Sequence, residues 1–593
     1  MKNMKKILSL ILALAMVFSL AACGGSTTTE SSDASSDTAE EETTPVAAND
    51  SEPTYGGEVN LYYPKFYNYF DPAMMNEYQY SFWYETLWTI DMSKSSEYSF
   101  DAASTPVEYM TGQLATDMGE MNYDDATLTV TLRDDVYFQD GEPYNGRALV
   151  ADDVVWSYSR LLGLNGLEKV VVTDSPMDWT TSLYMIEGVE ATDEHTVVFH
   201  FAEQYNNEVG YAAFVNAKVN IGGTEWDDLT DDQKADWHYA KGTGPYILED
   251  YVADNSMKLV KNENYYDYDD RYPENKLPYI DTINLIYIED SANVLAQAMA
   301  GELDWFGENG KNVLDNTQLS QLDESAAGIS YKYLSGSPVA IGFKVSQEPF
   351  NNDQVRAALQ HAIDIAGISQ VYFNITEDDL VIPGLWSPSL STWSTVGSWS
   401  DELTSEFTYD PELAKSMLEE AGYPDGFEFT IQLDPTANMS IFEEAKSELA
   451  QIGVTMNIET ASEMMEAVQV SQDPEDTRQF NTYGGGFSSY SLASMMIGDN
   501  TAQLQVETNG FNHTDQNVFD LLASMSSATT VDDQSKYAQE LDQIFPSSHW
   551  ALYLCGVQPT YDWMSSRVGG YSGEKVYYDD NMRTVWSRLW VSE

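Results

Sequence analysis

The sequence predicts a mixed α/β protein, and two stretches carry that prediction. Residues 127–132 alternate apolar and threonine side chains, which is typical of a half-buried strand. A turn follows at 140–143, and apolar residues then recur at helical spacing from Val154 until Gly163 can end the helix. The second stretch, from Phe427 to Ile458, has the pattern strand, helix, strand, which implies a parallel strand pair covered by a helix.

The remaining elements follow in chain order. The predicted strands are residues 55–61, a hairpin over 189–201, then 246–251, 283–288, 341–345, 427–433 and 454–458. The predicted helices are residues 292–300, one after Asn352-Asp353, one capped by Asp410 with Pro411 in its first turn, and 441–451. Gly242-Thr243-Gly244 before the strand at 246 indicates a tight turn, because it lacks the third glycine and the Lys-Ser/Thr pair of a phosphate loop.

The length and composition of the chain indicate how many domains it has and which partners are not expected. The chain has 593 residues, of which 43% are hydrophobic, enough for two or three domains. Its 96 acidic and 28 basic residues give a net charge of −68, which repels nucleic acid, so no nucleic-acid partner is expected. The acidity is explained by a solvated surface; a preference for cationic ligands is the alternative.

The amino terminus predicts export and lipid anchoring. Three lysines precede an apolar run at 7–20, which is too short to span a membrane and suits a signal peptide. Leu20-Ala21-Ala22-Cys23 then resembles a bacterial lipobox, so residues 1–23 are predicted to be a lipoprotein signal peptide and Cys23 the lipidated residue. The alternative is an ordinary signal peptide with an incidental cysteine. Residues 24–54 are acidic and poor in large apolar side chains, which predicts a disordered linker.

No catalytic or metal-binding constellation is found. The two cysteines, Cys23 and Cys555, exclude a disulfide within the mature body and a cysteine-based zinc site. The six histidines form no zinc motif, the serine of Gly486-Phe487-Ser488 lacks the spacing of a nucleophile elbow, and the aspartates near Asp267 lack the rest of a calcium loop. We therefore predict no cofactor, no metal and no enzymatic activity, with a surface hydrolase kept as the alternative.

Several segments occur in a characteristic order, namely residues 132–141, 151–161, 242–246, 262–266 and 568–573. Their order resembles family 5 of the extracellular solute-binding proteins, the oligopeptide- and dipeptide-binding receptors of ABC importers. The resemblance spans about 55–590. It implies a two-lobed periplasmic-binding-protein-like α/β fold of the class II type, with an extra α/β domain inserted in the first lobe. The implied ranges are 55–98, 225–288 and 557–593 for lobe one, 99–224 for the extra domain and 289–556 for lobe two.

The resemblance also implies a function. A monomeric receptor, held by lipid on the outer face of the bacterial cell membrane, would capture peptides between its lobes and deliver them to a membrane permease and its ATPase subunits.

One segment departs from the peptide receptors. Their matching segment pairs its backbone with the peptide, carries a Trp, and ends in an Asp that binds the peptide α-amino group. Here Tyr483 stands for the Trp, Gly484 and Gly485 leave the backbone open, and Gly486 stands where the Asp should be. The ligand is thus either a peptide held by another carboxylate or a different solute, such as an oligosaccharide stacked on Tyr483 and Trp386. A structural role for Trp386 is an equal alternative.

Overall fold

The computed structural model describes residues 52–592 except 64–65, 67, 74–77, 95–104, 171–182, 307–317, 320, 323–327, 335, 389, 464–465, 467–468, 472, 482–484, 488–489, 500–508 and 572–581. The predicted signal peptide and nearly all of the predicted linker therefore lie outside the described residues.

The strands are β1 (Glu58–Tyr63), β2 (Trp88–Ile90), β3 (Met110–Gly112), β4 (Glu120–Asn122), β5 (Thr127–Thr131), β6 (Ile186–Asp193), β7 (Thr196–Phe201), β8 (Tyr246–Val252), β9 (Ser256–Lys261), β10 (Tyr268–Asp269), β11 (Tyr272–Lys276), β12 (Thr282–Tyr287), β13 (Trp305–Phe306), β14 (Gly328–Tyr333), β15 (Pro338–Gly342), β16 (Glu428–Leu433), β17 (Thr455–Thr460), β18 (Gln479–Phe480), β19 (Ala551–Val557), β20 (Thr560–Ser565), β21 (Val568–Gly569) and β22 (Trp590–Val591).

The α-helices are α1 (Ala151–Leu162), α2 (Glu208–Val215), α3 (Asp231–Lys234), α4 (Ser291–Met299), α5 (Asp353–His361), α6 (Ile365–Phe373), α7 (Asp401–Ser405), α8 (Pro411–Glu420), α9 (Met439–Gln451), α10 (Tyr490–Ile497), α11 (Gln516–Ser526), α12 (Val531–Ser547) and α13 (Met582–Arg588). Among the residues that the structure describes, none of these helices combines the length and the apolar content needed to cross a bilayer.

A seven-stranded sheet with the order β14-β20-β13-β1-β12-β9-β8 forms one half of the body. Its central strand β1 pairs in parallel with β12 and with β13, while the other neighbours are antiparallel. In β1, Val59, Leu61 and Tyr63 alternate with less buried residues, which is the pattern of a strand covered on one face. The sheet thus draws on residues from both ends of the chain.

A four-stranded antiparallel sheet, β4-β5-β7-β6, carries helix α1 and corresponds to the stretch that opened the sequence prediction. The buried face of β5 is formed by Leu128 and Val130, as its alternation predicted. Helix α1 begins after Val150, which has no capping hydroxyl, and the Asp153 carboxylate instead accepts a hydrogen bond from the Val150 N–H at 3.0 Å. Arg147 pairs with Asp153 at 2.7 Å and holds that carboxylate in place.

A five-stranded sheet, β17-β16-β18-β15-β19, forms the other half and has a core of its own, drawn from residues 340–555. Strands β16 and β17 are parallel and are connected by α9, so the predicted strand-helix-strand unit is confirmed. The strand predicted at 341–345 begins three residues earlier, at Pro338. It ends at Gly342, and the Val345 N–H donates a hydrogen bond to the Phe511 carbonyl at 2.9 Å.

Two separate sheets, each with helices and its own core, agree with the predicted two-lobed α/β fold. The domain limits stay a prediction, and strand pairing argues against one of them. Strands β13 and β14 fall in the range predicted for lobe two, yet both hydrogen-bond to β20 of the seven-stranded sheet. A boundary near residue 334 fits better than one at 289, because backbone groups of β13 and β14 are satisfied within the seven-stranded sheet.

Candidate functional site

A cavity of ≈ 240 Å³ lies between residues 184–213, beside the four-stranded sheet, and residues 490–534, beside the five-stranded sheet. We call it the Tyr490 cavity. The residues that matter for its chemistry are Tyr184, Tyr205 and Asn207 on one side and Tyr490, Ser526 and Gln534 on the other. The two sides touch, since the Glu208 N–H donates a hydrogen bond to the Thr529 carbonyl at 3.1 Å.

Helix ends position both walls of the Tyr490 cavity. Helix α2 begins at Glu208, and the Asn207 side chain accepts a hydrogen bond from the Gly210 N–H at 2.9 Å. Helix α12 begins after Thr530, whose hydroxyl accepts a bond from the Asp533 N–H at 3.2 Å. Asparagine and threonine are favoured at such positions because they satisfy amide groups that the first helical turn leaves free. The caps therefore fix the backbone that borders the cavity.

The lining of the Tyr490 cavity is aromatic and neutral. The ring of Tyr184 is 57% exposed and packs edge-on against Tyr205, with the ring centroids 4.7 Å apart. Among the described residues that line the cavity, none is Asp, Glu, Lys, Arg or His. An ionised ligand group would lose hydration here without gaining an opposite charge, so the lining favours uncharged parts of a ligand.

Trp386 lies beneath this cavity, within the core. Its indole is completely buried, and its Nε1–H donates a hydrogen bond to the Ala538 carbonyl at 2.7 Å. The Trp386 N–H also donates to the Asp542 carboxylate at 2.9 Å, while burial raises the pKa of that carboxyl to about 7. The indole packs edge-on against Tyr490, at 4.9 Å between centroids. Trp386 thus supports a cavity residue, and its own contact with a ligand stays a prediction.

The predicted ligand segment adjoins the cavity through its carboxyl end. Phe487 pairs with the Trp386 loop: its N–H donates to the Leu385 carbonyl at 2.8 Å and its carbonyl accepts from the Ser387 N–H at 3.0 Å. Tyr490 follows three residues later and lines the cavity. Tyr483 and Gly484, like Cys23 at the amino terminus, lie outside the described residues, so their predicted roles stay predictions.

The structure gives a physical reason for glycine at 486. Its φ is +64°, in the left-handed region, and a Cβ added there would lie 2.7 Å from Pro338 Cδ. Gly485 has a φ of +118°, and a Cβ there would lie 2.9 Å from Phe545 Cε1. The Gly486 carbonyl accepts a hydrogen bond from the Ser337 hydroxyl at 2.8 Å. This backbone path leaves no room for the carboxylate that peptide receptors carry at the matching position.

Sequence reasoning missed the residues on the far wall. Tyr184 and Tyr205 have no motif around them, and they are close to Tyr490 only in the folded chain. The one available signal was an aromatic side chain beside a hairpin, which is too common to be specific. Among the described residues, no group of three or more His, Cys, Asp or Glu side chains could hold a metal ion.

Comparisons with known proteins agree with this architecture. Residues 110–500 match the family model described as bacterial extracellular solute-binding proteins, family 5 middle. The glutathione-binding protein GsiB of Salmonella typhimurium is 25% identical over 443 residues, which is 72% of this chain and 77% of that protein. The oligopeptide-binding protein AppA of Bacillus subtilis is 23% identical over 481 residues, covering 76% and 81%.

A solved structure has the same fold over most of the chain. The periplasmic binding protein DppA of Helicobacter pylori, in complex with the peptide STSA, aligns with a TM-score of 0.61 at 19% identity, covering 91% of this chain and 99% of that one. The family match spans the four-stranded sheet, the first strands of the five-stranded sheet and the Trp386 loop. Because the family model matches residues 110–500, about two thirds of its length, this chain belongs to family 5 of the bacterial extracellular solute-binding proteins.

Proposed function

We propose that this protein is the peptide-capturing receptor of an ABC importer and that the Tyr490 cavity is part of its ligand site. The observation that carries the proposal is the position of that cavity, between helices attached to two different sheets and next to the Gly485–Phe487 segment. Two relatives bear the names of an oligopeptide-binding and a glutathione-binding protein, which supports a peptide ligand. The protein delivers its ligand unaltered to the permease, without catalysis.

The cavity would hold the middle of a peptide. Its volume of ≈ 240 Å³ is below the range of about 300–1,000 Å³ that is usual for complete ligand sites, so it accounts for one compartment only. The Gln534 amide and the Ser526 hydroxyl supply partners for a peptide backbone, and Tyr184 and Tyr205 offer apolar ring surface. The ammonium group of a peptide therefore lies elsewhere, or is not required.

An oligosaccharide is the second candidate ligand, favoured by one observation. The Tyr184 ring is exposed at the cavity and the lining is uncharged, which also suits the apolar face and hydroxyls of a sugar.

Titration calorimetry separates these ligands. Mixed tri- to hexapeptides, the same peptides with acetylated amino termini, and neutral oligosaccharides are titrated in turn. We expect heat from peptides and little loss of affinity on acetylation, since the lining offers no carboxylate. If only the oligosaccharides release heat, the ligand is a sugar and not a peptide. Absence of heat from every peptide would refute the proposal.

One substitution tests whether the ligand uses the Tyr490 cavity. Tyr184→Ala removes an exposed ring from the lining, and we expect the affinity to fall by about three- to tenfold. Tyr137→Ala is the matched control, because Tyr137 is 49% exposed and does not line the cavity. Equal affinities of the two variants would place the ligand elsewhere.

We also propose that the protein is a monomer held on the outer face of the cell membrane by lipid on Cys23. The support is the sequence Leu20-Ala21-Ala22-Cys23 after an apolar run. Cys23→Ala should move the protein from the membrane fraction to the medium and abolish the mass of the lipid on the amino-terminal peptide. A variant that stays membrane-bound would contradict the anchor. Size-exclusion chromatography with light scattering tests the monomer.

A further inference from the structure

One apolar side chain packs against both halves of the protein. The Trp393 indole is partly buried, and it contacts the core of the five-stranded half and also the core of the seven-stranded half. Burying apolar surface against both cores is favourable, and the side chain keeps both sets of contacts only while the halves stay together. Trp393 therefore contributes to holding the two halves in contact.

The loop that carries this indole is fixed to the five-stranded half. We call residues 390–396 the Trp393 loop. The Ser394 carbonyl accepts a hydrogen bond from the Gly384 N–H at 3.0 Å, and the Ser394 hydroxyl donates to the buried Asp542 carboxylate. These bonds hold the loop on its own half. The contact of the indole with the seven-stranded half is therefore the one that opens when the halves separate.

The Trp393 loop is linked directly to the Tyr490 cavity. Thr392 precedes the indole in the chain and is buried, and its hydroxyl forms a hydrogen bond of 3.1 Å with the Tyr490 hydroxyl. Tyr490 lines the cavity. The position of the indole is thus connected to a wall of the cavity through one neighbouring residue and one hydrogen bond.

Beside the same cavity, a polar contact crosses from α2 to the segment before α12. Glu208 is the first residue of α2, and the first N–H groups of a helix have no acceptor within that helix. The Glu208 N–H donates instead to the Thr529 carbonyl, at 3.1 Å. The Gly210 N–H is held at its own end of α2 by the Asn207 side chain, at 2.9 Å. The Glu208 amide therefore reports contact across the cavity, and the Gly210 amide reports the integrity of the helix.

Helix α2 is attached to the half that the indole contacts. Its Phe214 ring packs edge-on against Phe199 of β7, with the centroids 4.9 Å apart. After β5, the buried Gln139 side chain donates a hydrogen bond of 2.7 Å to the Tyr246 carbonyl in β8 of the seven-stranded sheet. The contact of Trp393 and the hydrogen bond of Glu208 thus join the same two sides of the molecule at different places.

We propose that the Trp393 loop couples contact between the halves to ligand binding. Docking of the indole on the seven-stranded half keeps the Tyr490 cavity assembled, and a bound ligand in turn favours the docked indole. This inference rests on the proposed function of that cavity. Its walls come from both sides, so a ligand that touches both binds the assembled arrangement more tightly and increases its population. Trp393 is thus a positioning residue that acts through Tyr490.

Residue-resolved amide hydrogen exchange tests the coupling in the full-length protein without ligand. Trp393→Ala removes the indole, and we expect the Glu208 amide to exchange at least about fivefold faster, because separation of the halves exposes it. The Gly210 amide should keep the rate of the parent protein. Trp237→Ala is the matched control, since Trp237 is also partly buried against the core of the seven-stranded half. It should leave both rates within about twofold of the parent values.

Titration calorimetry with mixed tri- to hexapeptides tests the effect on binding. The apparent affinity falls with the fraction of molecules in which the cavity is assembled, so Trp393→Ala should bind at least about fivefold more weakly and Trp237→Ala within about twofold of the parent. In the parent protein, the peptides should slow exchange of the Glu208 amide. Trp393→Phe keeps a smaller ring and should give intermediate values, which decides the outcome if Trp393→Ala does not fold.

Three results would overturn the coupling. The first is equal exchange of the Glu208 amide in Trp393→Ala and Trp237→Ala. The second is faster exchange with unchanged peptide affinity. The third is weaker binding with unchanged exchange, which would make the indole a direct ligand contact. If the peptides do not bind the parent protein while exchange in Trp393→Ala still accelerates, the proposed function is refuted and the docking role of Trp393 is retained.

Discussion

Restoring the carboxylate of the peptide receptors, by Gly486→Asp, should destabilise the five-stranded half without creating an ammonium site. Gly486 has a φ of +64°, and an L-residue in this region costs about 1 kcal/mol. Its Cβ would also lie 2.7 Å from Pro338 Cδ and 3.1 Å from Ser337 Cα, and such overpacking typically costs about 1–3 kcal/mol. The expected total is therefore about 2–4 kcal/mol.

Gly166→Asp is the matched control. Gly166 has a φ of +81° but no atom within 4 Å of an added Cβ. Its substitution therefore has the energetic cost of the left-handed backbone but no steric clash. The difference between the two variants isolates the packing term, about 1–3 kcal/mol. For a unit of about 200 residues, each kcal/mol lowers the unfolding temperature by about 2–4 °C, and differential scanning calorimetry resolves such a change.

The result that would refute this reasoning has two parts. Gly486→Asp and Gly166→Asp would unfold at the same temperature, and Gly486→Asp would bind peptides with free amino termini more tightly than the parent protein. That outcome would mean that residues 485–487 accept a side chain and that only the ammonium partner was missing.

Two other predictions rest on buried groups. Trp386→Phe leaves the Ala538 carbonyl without its donor, so the free energy of unfolding should fall by about 1–3 kcal/mol while ligand affinity stays the same. Thermal unfolding measures the first and calorimetric titration the second. A large fall in affinity with unchanged stability would show that the indole contacts the ligand. Burial raises the pKa of Glu85 from 4.5 to about 7, and the hydrogen bonds that its carboxylate accepts from the Tyr265 and Tyr266 hydroxyls offset part of that rise. The stability contributed by this group is therefore complete below pH 4.5 and is lost as the pH rises to about 7, by up to about 3 kcal/mol. The free energy of unfolding, measured with denaturant, should fall less steeply between these pH values in Glu85→Gln than in the parent protein. The same dependence on pH in both proteins would contradict the assignment.

The local elements could be predicted because their signals are local. The alternation in β5, the turn after it and the apolar spacing of α1 all lie within forty residues, and each is caused by neighbours along the chain. The same holds for β16, α9 and β17, and for the caps at Asn352 and Asp410. The order of such segments was also sufficient to recognise the family.

The ligand site was predictable only in part. The segment at 482–487 was found because it could be compared with a family pattern, and the glycine at 486 was noted as a departure. The reason for that glycine, contact with Pro338 and Ser337, lies almost 150 positions away in the chain. The burial of Trp386 against helix α12 has the same cause: contacts with residues distant in sequence decide whether an aromatic ring faces ligand or core.

The sequence by itself determined the α/β class, the family and the approximate limits of the elements with a clear local pattern, because periodicity and turn chemistry depend on adjacent residues. Only the tertiary structure decided that β13 and β14 join the seven-stranded sheet and that Tyr184 and Tyr490 line one cavity. These arrangements depend on backbone hydrogen bonds and packing between segments far apart in the chain, and no local pattern encodes that pairing.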